Sequence, residues 1–127
     1  MPIIDDDFDV SELFHAALTP ISGIVPLKFT DPVIALEHIT INKYNYVLII
    51  SVFKMPGING IELIKTVKNL NPNIRTTLMT AFEITDKLFE QYTRDQIING
   101  FLQKPILIKD LIEEVDKQLH IHAINIK

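Results

Sequence analysis

Residues 45–60 read NYVLIISVFKMPGING. The run from Val47 to Val52 is short, continuously apolar apart from Ser51, and rich in branched side chains. That pattern predicts a strand buried on both faces, as in a parallel sheet. Met55-Pro56-Gly57 then turns the chain. Asn59 and Glu62 stand three apart, a capping box with Asn in the capping position, so a helix starts there. Leu63, Ile64, Val67 and Leu70 supply its buried face, and Asn71-Pro72-Asn73 stops it. One strand–turn–helix unit is therefore legible at the centre of the chain.

The same alternation extends in both directions. Upstream, Ile3–Ile4 is a short strand ending in Asp5-Asp6-Asp7. Val10, Leu13, Phe14, Ala17 and Leu18 follow with helical spacing, and Asp7 or Asp9 can cap that helix. Residues 24–29 read as a second strand, and Asp31-Pro32 as the cap and first position of a second helix. Downstream, residues 74–80 make a fourth strand and residues 85–93 a fourth helix. Gly100 to Gln103 is a fifth strand, and Ile108, Leu111, Ile112, Val115 and Leu119 form the stripe of a last helix. The acids between Asp110 and Asp116 read as its solvated face. The expected division is one domain over residues 1–119 and a patternless tail over 120–127. Five β-α units predict an α/β fold, a doubly wound parallel sheet covered by helices on both faces.

In such a sheet, ligands gather at the carboxyl ends of the strands. The residues expected there are Asp5, Asp6, Val52, Thr80 and Lys104. Each also has a plain structural reading. The aspartates suit helix capping, Thr80 suits a strand, and Phe101 suits core or interface packing. An ion pair between Lys104 and Asp5 or Asp6 is expected, because an ammonium at the rim of a cleft is costly unpaired.

Taken in order, Asp5-Asp6, Met55-Pro56-Gly57, Thr80-Ala81, Phe101 and Lys104-Pro105 resemble the receiver domain of two-component response regulators over nearly the whole chain. The resemblance implies a single five-stranded sheet of flavodoxin-like topology, with strand order 2-1-3-4-5. It implies metal binding at Asp5 and Asp6, a switch hydroxyl at Thr80, a switch aromatic at Phe101, a phosphoryl-facing lysine at Lys104 and a cis Lys104–Pro105 bond. It also implies an aspartate three residues before the Met of the turn. That position holds Val52, whose side chain has no nucleophilic oxygen.

The expected function is thus a pseudo-receiver, a phosphorylation-independent signalling module of a phosphorelay rather than an enzyme. The alternative is an active relay member with an unusual acceptor, Ser51 or Thr80. Ser51 neighbours Val52 and should point to the opposite sheet face. No cofactor is expected, and at most a vestigial magnesium site at Asp5 and Asp6. The expected partner is a protein: a histidine kinase, another response regulator or an effector. The sequence sets no oligomeric state.

Composition narrows the classes further. The 127 residues suffice for one domain with a core, and 47% hydrophobic with 22% charged residues fits a folded chain. A net charge of −4 gives no support to nucleic-acid binding. There is no cysteine, which excludes disulfides and thiol chemistry and fits a cytoplasmic setting. No apolar run approaches the ~20 residues needed to cross a bilayer, and the acidic amino terminus does not read as a signal peptide. His120 and His122 are two apart, the wrong spacing for a metal site on one helix face. A flavin-binding alternative of the same topology fails on the three aspartates after the first strand, which would repel a phosphate.

Overall fold

Alternation between the two faces of each strand builds the molecule. The computed structural model describes residues 1–83 and 87–125, the side chain at position 88 excepted. In chain order the elements are β1 (Pro2–Ile4), α1 (Phe8–Leu18), β2 (Leu27–Phe29), α2 (Pro32–Ile41), β3 (Leu48–Val52), α3 (Gly60–Leu70), β4 (Arg75–Thr80), α4 (Lys87–Arg94), β5 (Gly100–Gln103) and α5 (Ile108–Asn125). The five strands form one parallel sheet in the order β2-β1-β3-β4-β5, as expected.

Adjacent strand residues feed separate cores. Ile4, Ile49 and Leu78 pack with Ala35 and Ile39 of α2, Leu63, Ile64 and Val67 of α3, and Phe89 of α4. Ile3, Ile50, Val52 and Met79 pack on the other face with Phe14 and Leu18 of α1 and Leu111 and Val115 of α5. The strands are short and buried on both sides, so they read as apolar runs rather than alternating ones.

Local chemistry fixes the helix starts. Asp7 caps α1, accepting from the N–H groups of Asp9 and Val10 at 3.0 and 3.2 Å. Asp31 caps α2 through Val33 N–H at 2.8 Å, with Pro32 in the first turn. Asn59 caps α3 through Glu62 N–H at 2.9 Å. These satisfy amide groups that a helix cannot pair internally.

Three expectations need correction. The second strand begins at Leu27 and not at residue 24. Pro26 has no N–H to give a ladder, and Ile24 N–H closes a turn onto Ile21 instead. The last helix does not end at Leu119; it runs to Asn125, so residues 120–125 of the expected tail are helical and 126–127 lie outside the described residues. Nor is the acidic segment of α5 wholly solvated, because Glu114 is buried and accepts from Thr77 Oγ1 at 2.8 Å. The start expected for the fourth helix, at residue 85, also lies outside the described residues.

Candidate functional site at the strand carboxyl ends

β1, β3, β4 and β5 deliver the expected residues to one edge of the sheet. Ile4 pairs with Ser51 in register, so Asp5 and Val52 follow side by side at the ends of β1 and β3. Thr80 pairs with Gln103, which puts Lys104 one step beyond β5. The Lys104–Pro105 peptide is cis.

Asp5 is fully buried, and both of its carboxylate oxygens have partners. Oδ1 accepts from Asp7 N–H at 2.9 Å, and Oδ2 accepts from Lys104 Nζ at 3.2 Å. Lys104 thus reaches across the sheet edge to the first strand, the ion pair expected from sequence. Burial raises the Asp5 pKa, while the Asp7 amide and the Lys104 ammonium oppose that rise. Asp6 is exposed at the mouth of the cleft. Among the described residues, no three acidic or histidine side chains gather as a metal would require.

Val52 is 5% exposed and packs into the core shared with α1 and α5. Ser51 is fully buried, and its hydroxyl donates to the Val52 carbonyl at 3.0 Å. Thr80 is buried, and its hydroxyl accepts from Phe82 N–H at 2.9 Å. The backbone here is tightly interlocked. Phe53 N–H donates to Met79 O at 2.8 Å, and Gly60 N–H to Phe53 O at 2.6 Å. Gly60 lies so close that a Cβ on it would stand 2.0 Å from the Val52 carbonyl oxygen. Only glycine permits that approach.

A row of aromatic rings runs from this edge along β5, and sequence reasoning found only its last member. Phe82 meets Phe53 edge-on at 5.6 Å between centroids, Phe53 meets Phe89 at 5.6 Å, and Phe89 tilts against Phe101 at 5.4 Å. Lys54 Nζ lies 4.8 Å from the Phe82 ring centroid, at the open end of the row. The available signal was positional. Phe53 follows Val52 and Phe82 follows Thr80 by two, so both lie just beyond the carboxyl ends of strands. Asp6, Phe53, Lys54, Met55, Pro56 and Asn59 line a shallow, open cleft of about 510 Å³ over the edge.

Residues 1–116 match the response regulator receiver domain. The chain belongs to the response regulator receiver family. Within it, this receiver is 27% identical over 117 residues to the sporulation initiation phosphotransferase F of Bacillus subtilis, covering 92% of this chain and 90% of that protein. It is also 27% identical over 117 residues to the DNA-binding transcriptional regulator NtrC of Klebsiella pneumoniae. That match covers 92% of this chain and 24% of NtrC, so the receiver spans about a quarter of that relative. Its fold superposes on a CheY-like receiver domain protein of Methanospirillum hungatei JF-1 with a TM-score of 0.84 and 19% identity, over 98% of this chain and 95% of the other.

Proposed function

We propose that this receiver signals by protein–protein contact without aspartyl phosphorylation. The observation that carries the reading is Val52 at the end of β3, beside a carboxylate already paired with Lys104. A phosphoryl acceptor needs a nucleophilic oxygen, and an alkyl side chain offers none. Neither hydroxyl nearby is a ready substitute. The Ser51 hydroxyl is buried and turned to its own strand's carbonyl. The Thr80 hydroxyl is buried and occupied by Phe82 N–H.

The donor set argues in the same direction about magnesium. A small hard cation takes several oxygen ligands at short range. Here two carboxylates remain, and Lys104 holds one oxygen of Asp5. These residues do not fit a tightly bound divalent cation, and no chemical step is assigned to one.

The domain then acts by presenting a surface. Its partner is a histidine kinase, another response regulator or an effector protein, in the cytoplasm, with no turnover of a substrate. The family membership and the half-buried Phe101 support that reading. So does the chain's acidity, which disfavours nucleic acid. Among the described residues, no helix is long and apolar enough to cross a membrane.

Acetyl phosphate with magnesium, read by intact mass, tests the proposal. The expected result is no gain of a phosphoryl group. A gain mapped to Ser51 or Thr80 would establish the active-relay alternative. Val52→Asp is the informative companion, since it returns a carboxylate to the end of β3. Phosphorylation of that variant alone would isolate the missing acceptor as the cause.

A further inference from the structure

Among the described residues, positive charge gathers at the opposite edge of the sheet, away from the cleft above. Lys68 at the end of α3, Arg75 at the start of β4, Arg94 at the end of α4 and His122 near the end of α5 line one cleft of about 470 Å³. Asp95 is the one acid on its wall among the described residues, and it accepts from Gln91 Nε2 at 2.9 Å. A chain of net charge −4 has thus gathered three cations around a cavity of small-molecule size.

Two of those cations are held by neutral groups. Lys68 Nζ donates to Asn99 Oδ1 at 2.7 Å, and Arg75 Nε donates to Gln118 Oε1 at 2.6 Å. Among the described residues, neither has a carboxylate within 4.0 Å, and the terminal nitrogens of Arg75 have no protein partner. Arg94 is tied to Glu90 at 2.7 Å, but that pair is exposed and weak. Burial, and then the Arg75 guanidinium, lower the Lys68 pKa to about 8. Burial also lowers Arg75, with Glu114 opposing. Placing like charges together out of water is unfavourable, and an anion between them would relieve both costs.

We propose that the cleft between Lys68, Arg75 and Arg94 binds a small multivalent oxyanion, a phosphate- or polycarboxylate-bearing molecule. Lys68 supplies a point charge with spare donors, and Arg75 supplies the planar guanidinium fork that matches oxyanion geometry. Arg94 closes the outer side by exchanging Glu90 for the ligand. The side-chain oxygen of Asn99 fixes Lys68 and also accepts from Thr76 N–H at 3.0 Å, so the ammonium is held in place before a ligand arrives. This site is independent of the phospho-acceptor position, because it lies at the other ends of the strands.

The test is a titration of the isotope-labelled protein with pyrophosphate and, separately, citrate, followed by amide chemical shifts. A chloride titration matched for ionic strength is the reference. Expected are saturable shifts centred on Arg75, Ile97 and Asn99, with affinity weakened about tenfold in Lys68→Gln, the loss of one charged hydrogen-bond donor. Arg94→Gln, at a largely exposed side chain, should weaken binding without harming the fold, so it carries the test if Lys68→Gln is unstable. Preference for pyrophosphate assigns a phosphorylated ligand, and preference for citrate a polycarboxylate. Shifts no larger than those with chloride, or binding unchanged in Arg94→Gln and in a folded Lys68→Gln, would overturn the proposal.

Discussion

The two edges of this sheet solve opposite electrostatic problems. At the carboxyl edge a buried acid meets a lysine from the far end of the chain, and Asp5 and Lys104 neutralise each other at 3.2 Å. At the amino edge, Lys68 and Arg75 are held by the neutral side chains of Asn99 and Gln118. The first edge is closed on itself; at the second, among the described residues, no carboxylate lies within 4.0 Å of Lys68 or Arg75, though Glu114 attracts Arg75 from farther off. A cleft that supplies its own counter-charge has little reason to bind an ion, whereas one that lacks it does. On the two proposals above, the carboxyl end of the strands is the less receptive of the two.

The edges also differ in how rigidly they are built, and glycine substitution should expose that first and most strongly. At Gly60 an added Cβ would stand 2.0 Å from the Val52 carbonyl oxygen, 2.9 Å from its carbon and 3.0 Å from Leu78 Cδ1. Backbone inside a paired strand cannot move aside. Gly60→Ala should cost about 3 kcal/mol or more. At Gly100 the obstacles are side-chain ends, Glu114 Oε2 at 2.1 Å and Gln118 Nε2 at 2.6 Å. Those can rotate, at the expense of the hydrogen bonds to Thr77 and Arg75. Gly100→Ala should therefore cost less, about 1–2 kcal/mol. Urea unfolding of both variants measures the difference. Equal losses would show that the amino edge is as rigid as the other.

Removing one lysine from each edge separates paired from unpaired charge. Lys104→Met strips the partner from a fully buried carboxylate and should destabilise by about 1–3 kcal/mol at neutral pH. The loss should shrink on acidification, as Asp5 takes up a proton. Lys68→Met removes a cation that burial, and then Arg75, disfavour, at the expense of one hydrogen bond to Asn99. Its effect should lie within about 0.5 kcal/mol of zero. Thermal melts at several pH values read both. A large loss in Lys68→Met would mean that its bond to Asn99 outweighs the repulsion.

What sequence could and could not disclose follows the same division. The carboxyl edge was legible because its residues sit at strand ends, where a buried apolar run stops and an acid, a threonine or a lysine follows. Even an ion pair of Lys104 with Asp5 or Asp6 could be argued from the need to satisfy an ammonium, and the structure selects Asp5. The amino edge was not legible. Lys68 looks like an exposed charge on an amphipathic helix, Arg75 like the polar start of a strand, and Arg94 and His122 like ordinary helix ends. Their convergence depends on how α3, β4, α4 and α5 terminate together, which no local pattern encodes. The burial of Glu114 was missed for a related reason: the space it fills exists because Gly100, fourteen residues earlier, has no side chain. The extra turns of α5 were missed because His120 to Asn125 combine two isoleucines, an alanine and three polar residues without a sharp stripe. Pro26 was the signal that should have shortened the second strand.

The smallest effect should appear in the pH dependence of stability, where the two edges act in different windows. Asp5 holds its proton more tightly when folded, since burial raises its pKa. Between its ordinary value and the raised one, the folded state binds more protons than the unfolded state. Stability from this group is therefore fully present below the ordinary carboxylate value and is lost as pH rises through the raised one. Lys68 is the mirror case, lowered to about 8 from an ordinary 10.5. Between those values the unfolded state binds more protons, so stability rises with pH across that alkaline window. Asp5→Asn should flatten the acid-side slope and leave the alkaline one. Lys68→Met should do the reverse. Urea midpoints collected from pH 4 to pH 10 would show both, provided ionic strength is held fixed. If added pyrophosphate occupies the amino edge, it should favour the charged ammonium, move the Lys68 window upward and leave the Asp5 window where it was. An unmoved alkaline slope under saturating pyrophosphate would place any bound anion away from Lys68. Movement of both slopes together would mean that the two edges, separated by the length of the strands, are not electrostatically independent.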